Sequence, residues 1–82
     1  MNSGILELDL HGMNLCQAQA AIDAKLRQAK AGTYRIRVIH GYRGGTELQK
    51  MVRERYRKHP KVLRLELGLN PGQTDLVLRE LV

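Results

Sequence analysis

Short stretches of the chain alternate apolar and polar residues with a period of two. In residues 5–10, leucines at every second position are separated by acidic side chains, and residues 35–40 and 62–67 alternate in the same way. This period is typical of β-strands with one buried and one exposed face. A fourth strand, around residues 74–81, follows the turn signal Asn-Pro-Gly at 70–72.

A helical period links the first two strands. Residues 14–31 place apolar side chains at steps of three and four, which is the spacing of a helix with one buried face. Asn14 and Gln17 resemble a capping box at its start, and Gly32 is a typical stop.

A second helix follows the second strand. Its expected N-cap is Thr46, supported by Gln49 three residues later, and its apolar stripe continues until His59-Pro60 ends it. We therefore predict the element order β-α-β-α-β-β.

This order predicts an α/β fold of the two-layer α+β sandwich type. Helical crossovers make the first three strands parallel, and the short last connection makes the fourth antiparallel. Because every strand alternates, one face of the mixed four-stranded sheet is expected to be open to solvent, with both helices on the other face. The 82 residues fit one domain, 1–82.

Composition favours a cytoplasmic protein that does not enter a membrane. The chain shows neither a cleavable signal nor an apolar run of about 18 residues. Its one cysteine, Cys16, cannot form an intramolecular disulfide and is expected to be a small buried hydrophobe near the helix start.

Positive charge is concentrated in one region. The net charge is +6, and residues 35–64 hold ten Lys and Arg against only Glu47 and Glu54. Such a concentration suggests a polyanionic partner such as nucleic acid, but a solvated basic surface without a ligand is an alternative.

Two His-Gly pairs stand where parallel strands are expected to end, and they are the candidate site. His11-Gly12 and His40-Gly41 should meet at one edge of the sheet, where ligands of open α/β sheets bind. Asp9 lies two residues before His11, where it either faces the same substrate phosphate or stabilises the following turn.

The loop after His40 adds groups that suit phosphate oxygens. Gly44 and Gly45 can expose backbone amides before the second helix, and Arg43 lies in the same loop. Tyr42 either stacks on a base or anchors the loop. Strand alternation also puts three cations on the open sheet face, where a phosphate backbone could cross: Arg35, Arg37 and Arg64.

Three motifs of the chain resemble those of the small MutS-related (Smr) domain family, over essentially the whole length. Residues 8–12, Leu-Asp-Leu-His-Gly, match the family's Leu-Asp-x-His-Gly. Residues 40–48, His-Gly-Tyr-Arg-Gly-Gly-Thr-Glu-Leu, are similar to its His-Gly-x-Gly-x-Gly motif before a helix-opening leucine. Residues 72–78, Gly-Gln-Thr-Asp-Leu-Val-Leu, resemble its closing Gly-x-Thr-x-Val-x-Leu strand.

The resemblance implies a fold like the C-terminal domain of the bacterial third translation initiation factor. It also implies nucleic-acid binding. In several members it implies nicking or endonucleolytic cleavage of DNA, as in DNA repair, or of RNA, including messenger RNA on stalled ribosomes. Carried over by position, the candidate residues are Asp9, His11, His40 and Gly41. The chain departs from the second motif at Arg43, which stands where the family has glycine.

Two functions from different classes remain open at this point. The first is an endonuclease in which His11 acts as base or acid, Asp9 orients it or holds a cation, and His40 stabilises charge on the phosphate. The second is a non-catalytic module that binds RNA, DNA or a ribosomal surface, which Arg43 favours. A third candidate, an interaction domain whose basic face binds an acidic protein, ranks last. A divalent cation is optional, and the oligomeric state stays open.

Overall fold

A four-stranded sheet and two helices form the fold in a computed structural model, which describes residues 4–41, 46–68 and 70–80. The elements are β1 (Ile5–Asp9), α1 (Leu15–Gln28), β2 (Arg35–Ile39), α2 (Glu47–Tyr56), β3 (Arg64–Glu66) and β4 (Gln73–Val77). The predicted order β-α-β-α-β-β is confirmed. Neither described helix is long and apolar enough to cross a membrane.

The strands lie in the order β1-β2-β4-β3. β1 and β2 are parallel, and β4 is antiparallel to both β2 and β3. The predicted strand directions are therefore confirmed, although β4 is inserted between β2 and β3. Because α1 and α2 each return the chain from the end of one parallel strand to the start of the next, their N-terminal ends lie at the carboxyl edge of β1 and β2.

Both helices cover one face of the sheet, as predicted. Apolar residues from that face and from both helices form one buried cluster. Its members are Leu10, Ala18, Ile22, Leu26, Ile36, Val38, Val52, Tyr56, Val62 and Leu76. The alternate strand positions form the open face, which carries most of the strand charges.

The capping box of α1 is confirmed, but its predicted end is wrong. Gln17 N donates to Asn14 Oδ1, and Asn14 N donates to Gln17 Oε1. The helix ends at Gln28, because Ala29 is extended, with φ −61° and ψ 132°. Gly32 is not the helix stop, since it lies in a separate turn closed by the bond from Thr33 N to Lys30 O.

Helix α2 also ends earlier than predicted. Thr46 occupies the N-cap position without a side-chain cap bond, and the Gln49 side chain donates to Pro71 O instead of the helix start. The helix stops at Tyr56, before His59-Pro60. The last two strands are also shorter than predicted.

Candidate functional site

The two His-Gly pairs lie side by side at the carboxyl ends of β1 and β2. Asp9 stands opposite Ile39 in the parallel register, and Leu10 N donates to Ile39 O at 2.9 Å. His40 follows β2 directly, and His11 follows Leu10 after β1. The prediction that these pairs meet at one edge is confirmed, and we call residues 9–12 and 40–41 the His-Gly edge.

A tight turn presents His11 to solvent. Met13 N donates to Leu10 O at 3.0 Å, so His11 and Gly12 are the two central residues of the turn. Gly12 has φ +78°, at the position where a type II turn needs a left-handed residue. His11 is therefore exposed and can reach a ligand at the edge.

The Asp9 carboxylate stabilises this turn. Its Oδ1 accepts a hydrogen bond from the backbone N of His11 at 2.9 Å. Of the two roles considered for Asp9, the structure shows the turn contact. Asp9 remains exposed, so the carboxylate also faces the solvent at the edge.

His40 has a different environment, because it is buried and both ring nitrogens are hydrogen bonded. Nδ1 lies 2.7 Å from Gly41 O, and Nε2 lies 2.8 Å from Thr74 Oγ1. A carbonyl oxygen only accepts, so Nδ1 carries the proton and Nε2 of the neutral ring accepts from the Thr74 hydroxyl. The hydroxyl oxygen in turn accepts from Arg53 Nε at 3.1 Å.

The surroundings of His40 favour its neutral form. Burial lowers the pKa of His40 and the charge of Arg53 lowers it further, against the opposing effect of the Gly41 carbonyl. Both nitrogens of this neutral ring are occupied by contacts that stabilise the strand end. The catalytic role of His40 stays a prediction, but these contacts favour a positioning role.

Gly41 is held by the turn before β4. The backbone N atoms of His40 and Gly41 both donate to Gly72 O at 2.9 Å. Gly72 N donates to the Asn70 side chain at 2.9 Å. Gly41 itself has φ +74°, like its counterpart Gly12. The predicted phosphate loop that follows, Tyr42, Arg43, Gly44 and Gly45, lies outside the described residues.

The strand arginines lie on the open face as predicted, but carboxylates pair with them. Arg35 forms ion pairs with Asp75 at 2.6 Å and with Glu66 at 2.8 Å. Both hydrogen bonds raise the pKa of Arg35, and the bond to Asp75 has the larger effect. Arg64 binds Glu80 at 2.5 Å and Glu66 at 3.0 Å. Both guanidinium groups already have anionic partners.

Arg37 is the most weakly paired of the three strand arginines. Its Nε lies 3.5 Å from Asp75 Oδ1, and this buried nitrogen has no hydrogen-bond partner among the described residues. The open face and its rim carry four arginines, Arg35, Arg37, Arg64 and Arg79, against five carboxylates, Glu7, Asp9, Glu66, Asp75 and Glu80. The face is therefore not basic, and the phosphate-binding role of its arginines stays a prediction.

Sequence reasoning missed three residues of this arrangement: Arg53, Thr74 and Asp75. Thr74 is the threonine of the closing Gly-x-Thr strand motif, which was the available signal. Asp75 shares the open face with the strand arginines, because it pairs with Arg37 in the antiparallel register. For Arg53, helical spacing alone gave no sign that it reaches Thr74.

The prediction that Cys16 is buried is wrong. Cys16 is exposed on the first turn of α1, where it lines a shallow pocket with Met13, Leu15 and Leu48. Among residues 4–41, 46–68 and 70–80, no group of three or more His, Cys, Asp or Glu side chains could hold a metal ion.

The motifs and the fold, together with the family match, define a class of protein, the small nucleic-acid-binding, nuclease-related modules. The chain belongs to the Smr domain family, whose model matches residues 8–73. It is similar to the crystal structure of the Smr domain of Thermus thermophilus MutS2, with 29% sequence identity and a TM-score of 0.80. That match covers 92% of this chain and 99% of the other. The comparison with curated proteins finds no match.

Proposed function

We propose that this chain is an endonuclease that binds nucleic acid at the His-Gly edge and cleaves a phosphodiester bond there. The observation that carries the proposal is the exposed His11, presented at the edge by a turn that Asp9 stabilises. An imidazole has one nitrogen that can accept a proton and one that can donate it, as general acid–base catalysis of phosphodiester cleavage requires.

His11 is the catalytic residue in this proposal. In hydrolysis, a water oxygen forms the new bond to phosphorus, the water proton moves to the His11 imidazole, and the bond to the leaving oxygen breaks. The protonated imidazole then supplies the proton that the leaving oxygen takes up. With RNA, the 2′-hydroxyl can replace water as the nucleophile, and the proton transfers are the same.

Asp9 and His40 are positioning residues. Asp9 acts through the backbone of His11, since its carboxylate accepts the His11 N–H and thereby orients the turn. His40 acts through the Gly41 carbonyl and Thr74, which keep the end of β2 beside the turn.

Cleavage of labelled single-stranded RNA and of supercoiled DNA tests the proposal. We expect His11→Ala to abolish cleavage while retaining binding, and Asp9→Ala to weaken cleavage. The matched control is Glu7→Ala, because Glu7 is an exposed carboxylate on the same strand and the same face as Asp9. Absence of cleavage by nuclease-free wild type with Mg²⁺, with Mn²⁺ and with EDTA would contradict the catalytic proposal.

A second candidate function is nucleic-acid binding without cleavage. The observation in its favour is that His40 has both ring nitrogens occupied, so His11 is the one exposed histidine at the described His-Gly edge. This function predicts salt-dependent binding of RNA or DNA with intact substrate recovered at every time point.

A further inference from the structure

The excess positive charge of the chain lies on the helical layer, not on the open sheet face. Residues 23–30 and 46–61, which include the last six residues of α1 and all of α2, hold nine Lys and Arg against three carboxylates. The open face and its rim hold more carboxylates than arginines. A polyanion is therefore attracted to the helices more than to the strands.

One groove collects part of this charge. It has a volume of about 250 Å³ and lies between the C-terminal parts of α1 and α2, at the end of the helical layer opposite the His-Gly edge. We call it the C-terminal groove, and its lining residues are Asp23, Leu26, Arg27, Arg55, His59 and Lys61.

The cations of this groove have no anionic partners in the described structure. Arg27, Arg55 and Lys61 are exposed, and none of them forms an ion pair with the described residues. The one carboxylate that lines the groove, Asp23, accepts a hydrogen bond from the Tyr56 hydroxyl at 2.8 Å. These cations thus differ from Arg35 and Arg64.

The favourable interaction of cations with the C-terminal ends of the helices explains only part of the positive charge in the groove. Lys61 Nζ donates to Leu26 O at 3.4 Å, in the last turn of α1. A cation near a helix C-terminus contributes about 0.3–1 kcal/mol. Bringing Arg27 and Arg55 into the same groove as Lys61 adds like-charge repulsion, which a bound phosphate would relieve.

We infer that the C-terminal groove is a second phosphate-binding site, occupied by the backbone of a nucleic-acid strand that extends from the His-Gly edge along the helices. This inference rests on the proposed nucleic-acid binding. The ten residues of α2 separate the two sites by about 15 Å. At the roughly 3.4 Å per nucleotide of a stacked strand, about four or five nucleotides span them.

Fluorescence anisotropy with labelled single-stranded DNA and RNA of graded length tests the inference. The groove variant is Arg55→Gln with Lys61→Gln, and the matched control is Arg57→Gln with Lys58→Gln, two exposed cations after α2 that do not line the groove. Arg27→Gln is an independent second variant. Thermal unfolding verifies that each variant is folded.

We expect the groove variant to bind a 12-nucleotide strand roughly tenfold more weakly, with a log–log salt slope smaller by about 1.4 for two lost phosphate contacts. A dinucleotide, too short to span both sites even when it is extended, should bind wild type and groove variant equally. Asp23→Asn keeps an acceptor for the Tyr56 hydroxyl and removes the groove carboxylate, so it should bind the long strand more tightly.

Several results would overturn the inference. The first is that wild type binds with strong salt dependence while the groove variants keep the same affinity and the same salt slope. This result would leave the proposed function intact. Another is an equal loss in the control variant, which would show nonspecific attraction. Equally tight binding of polyglutamate, with the same sensitivity to the groove substitutions, would exclude nucleic acid as the specific occupant. Failure of wild type to bind any oligonucleotide would overturn the proposed function together with the inference.

Discussion

Thr74 donates its hydroxyl proton to Nε2 of His40 across 2.8 Å, and this bond joins the middle of the sheet to the candidate site. Both residues are buried, and the same hydroxyl oxygen accepts from Arg53 Nε on α2. A side chain from each layer therefore contacts Thr74. The geometry of the His-Gly edge depends on β4 and α2 as well as on the strands that carry the motifs.

Replacing Thr74 with valine removes this hydroxyl at nearly constant shape. We expect Thr74→Val to lower the free energy of unfolding by about 1–3 kcal/mol, because His40 Nε2 and Arg53 Nε both lose a partner in a buried place. Urea unfolding measures the change. Thr33→Val is the control, since Thr33 is also buried but accepts only one long bond from Lys30 N at 3.4 Å. An equal effect at both positions would contradict the connecting role of Thr74.

The lowered pKa of His40 predicts a pH dependence of stability. Between its folded pKa and its ordinary value of about 6.5, the unfolded chain binds a proton that the folded chain does not. Stability from this group is therefore complete above about pH 6.5 and is lost as the pH falls through the folded pKa. The pKa of Glu66 is also lowered, mainly by Arg35, but its contribution is lost only below its ordinary value of 4.5.

Thermal unfolding between pH 7 and pH 5 separates these two groups. We expect the midpoint of wild type to fall across this window, and the fall to be smaller in His40→Gln, which does not titrate there. His11 and His59 remain in both proteins. The same fall in both would assign the pH dependence to another group.

Structural features that depend on local periodicity could be predicted from the sequence. Features that depend on contacts between residues distant in the chain could not. Alternation placed Arg35 and Arg37 on the open face correctly, because side-chain direction in a strand follows from position alone. It did not show that Asp75 lies between them, because that contact requires β4 to be inserted beside β2.

The same distinction applies to helix ends and to the site. Asn14 and Gln17 bind within one turn, so their capping box was predictable. Gln49 instead reaches Pro71 on a distant turn, which no local pattern indicates. The motif located His40 but did not show that it is buried, since its burial depends on packing against Thr74.

Two arginines on one strand should respond differently to the same substitution. Arg35→Ala removes two close ion pairs and leaves the buried carboxylate of Asp75 with weaker partners, so we expect a loss of about 1–2 kcal/mol in the free energy of unfolding. Arg37→Ala removes one pair at 3.5 Å and should change stability less. Urea unfolding and oligonucleotide binding of both variants test this contrast. A larger stability loss at Arg37 would contradict it.

The left-handed conformation of Gly12 connects the stability of the turn with the position of His11. A Cβ at Gly12 meets no atom within 4 Å, so the cost of Gly12→Ala comes from its φ of +78° and should be about 1–2 kcal/mol. Gly32 is a matched control, because a Cβ there also meets nothing and its φ lies outside the left-handed region. We expect Gly32→Ala to leave stability unchanged or raise it by about 0.4–1 kcal/mol. Because the strain at Gly12 is relieved by moving the turn, Gly12→Ala should also reduce any cleavage that depends on His11, and full activity with unchanged stability would show that the turn geometry is not required.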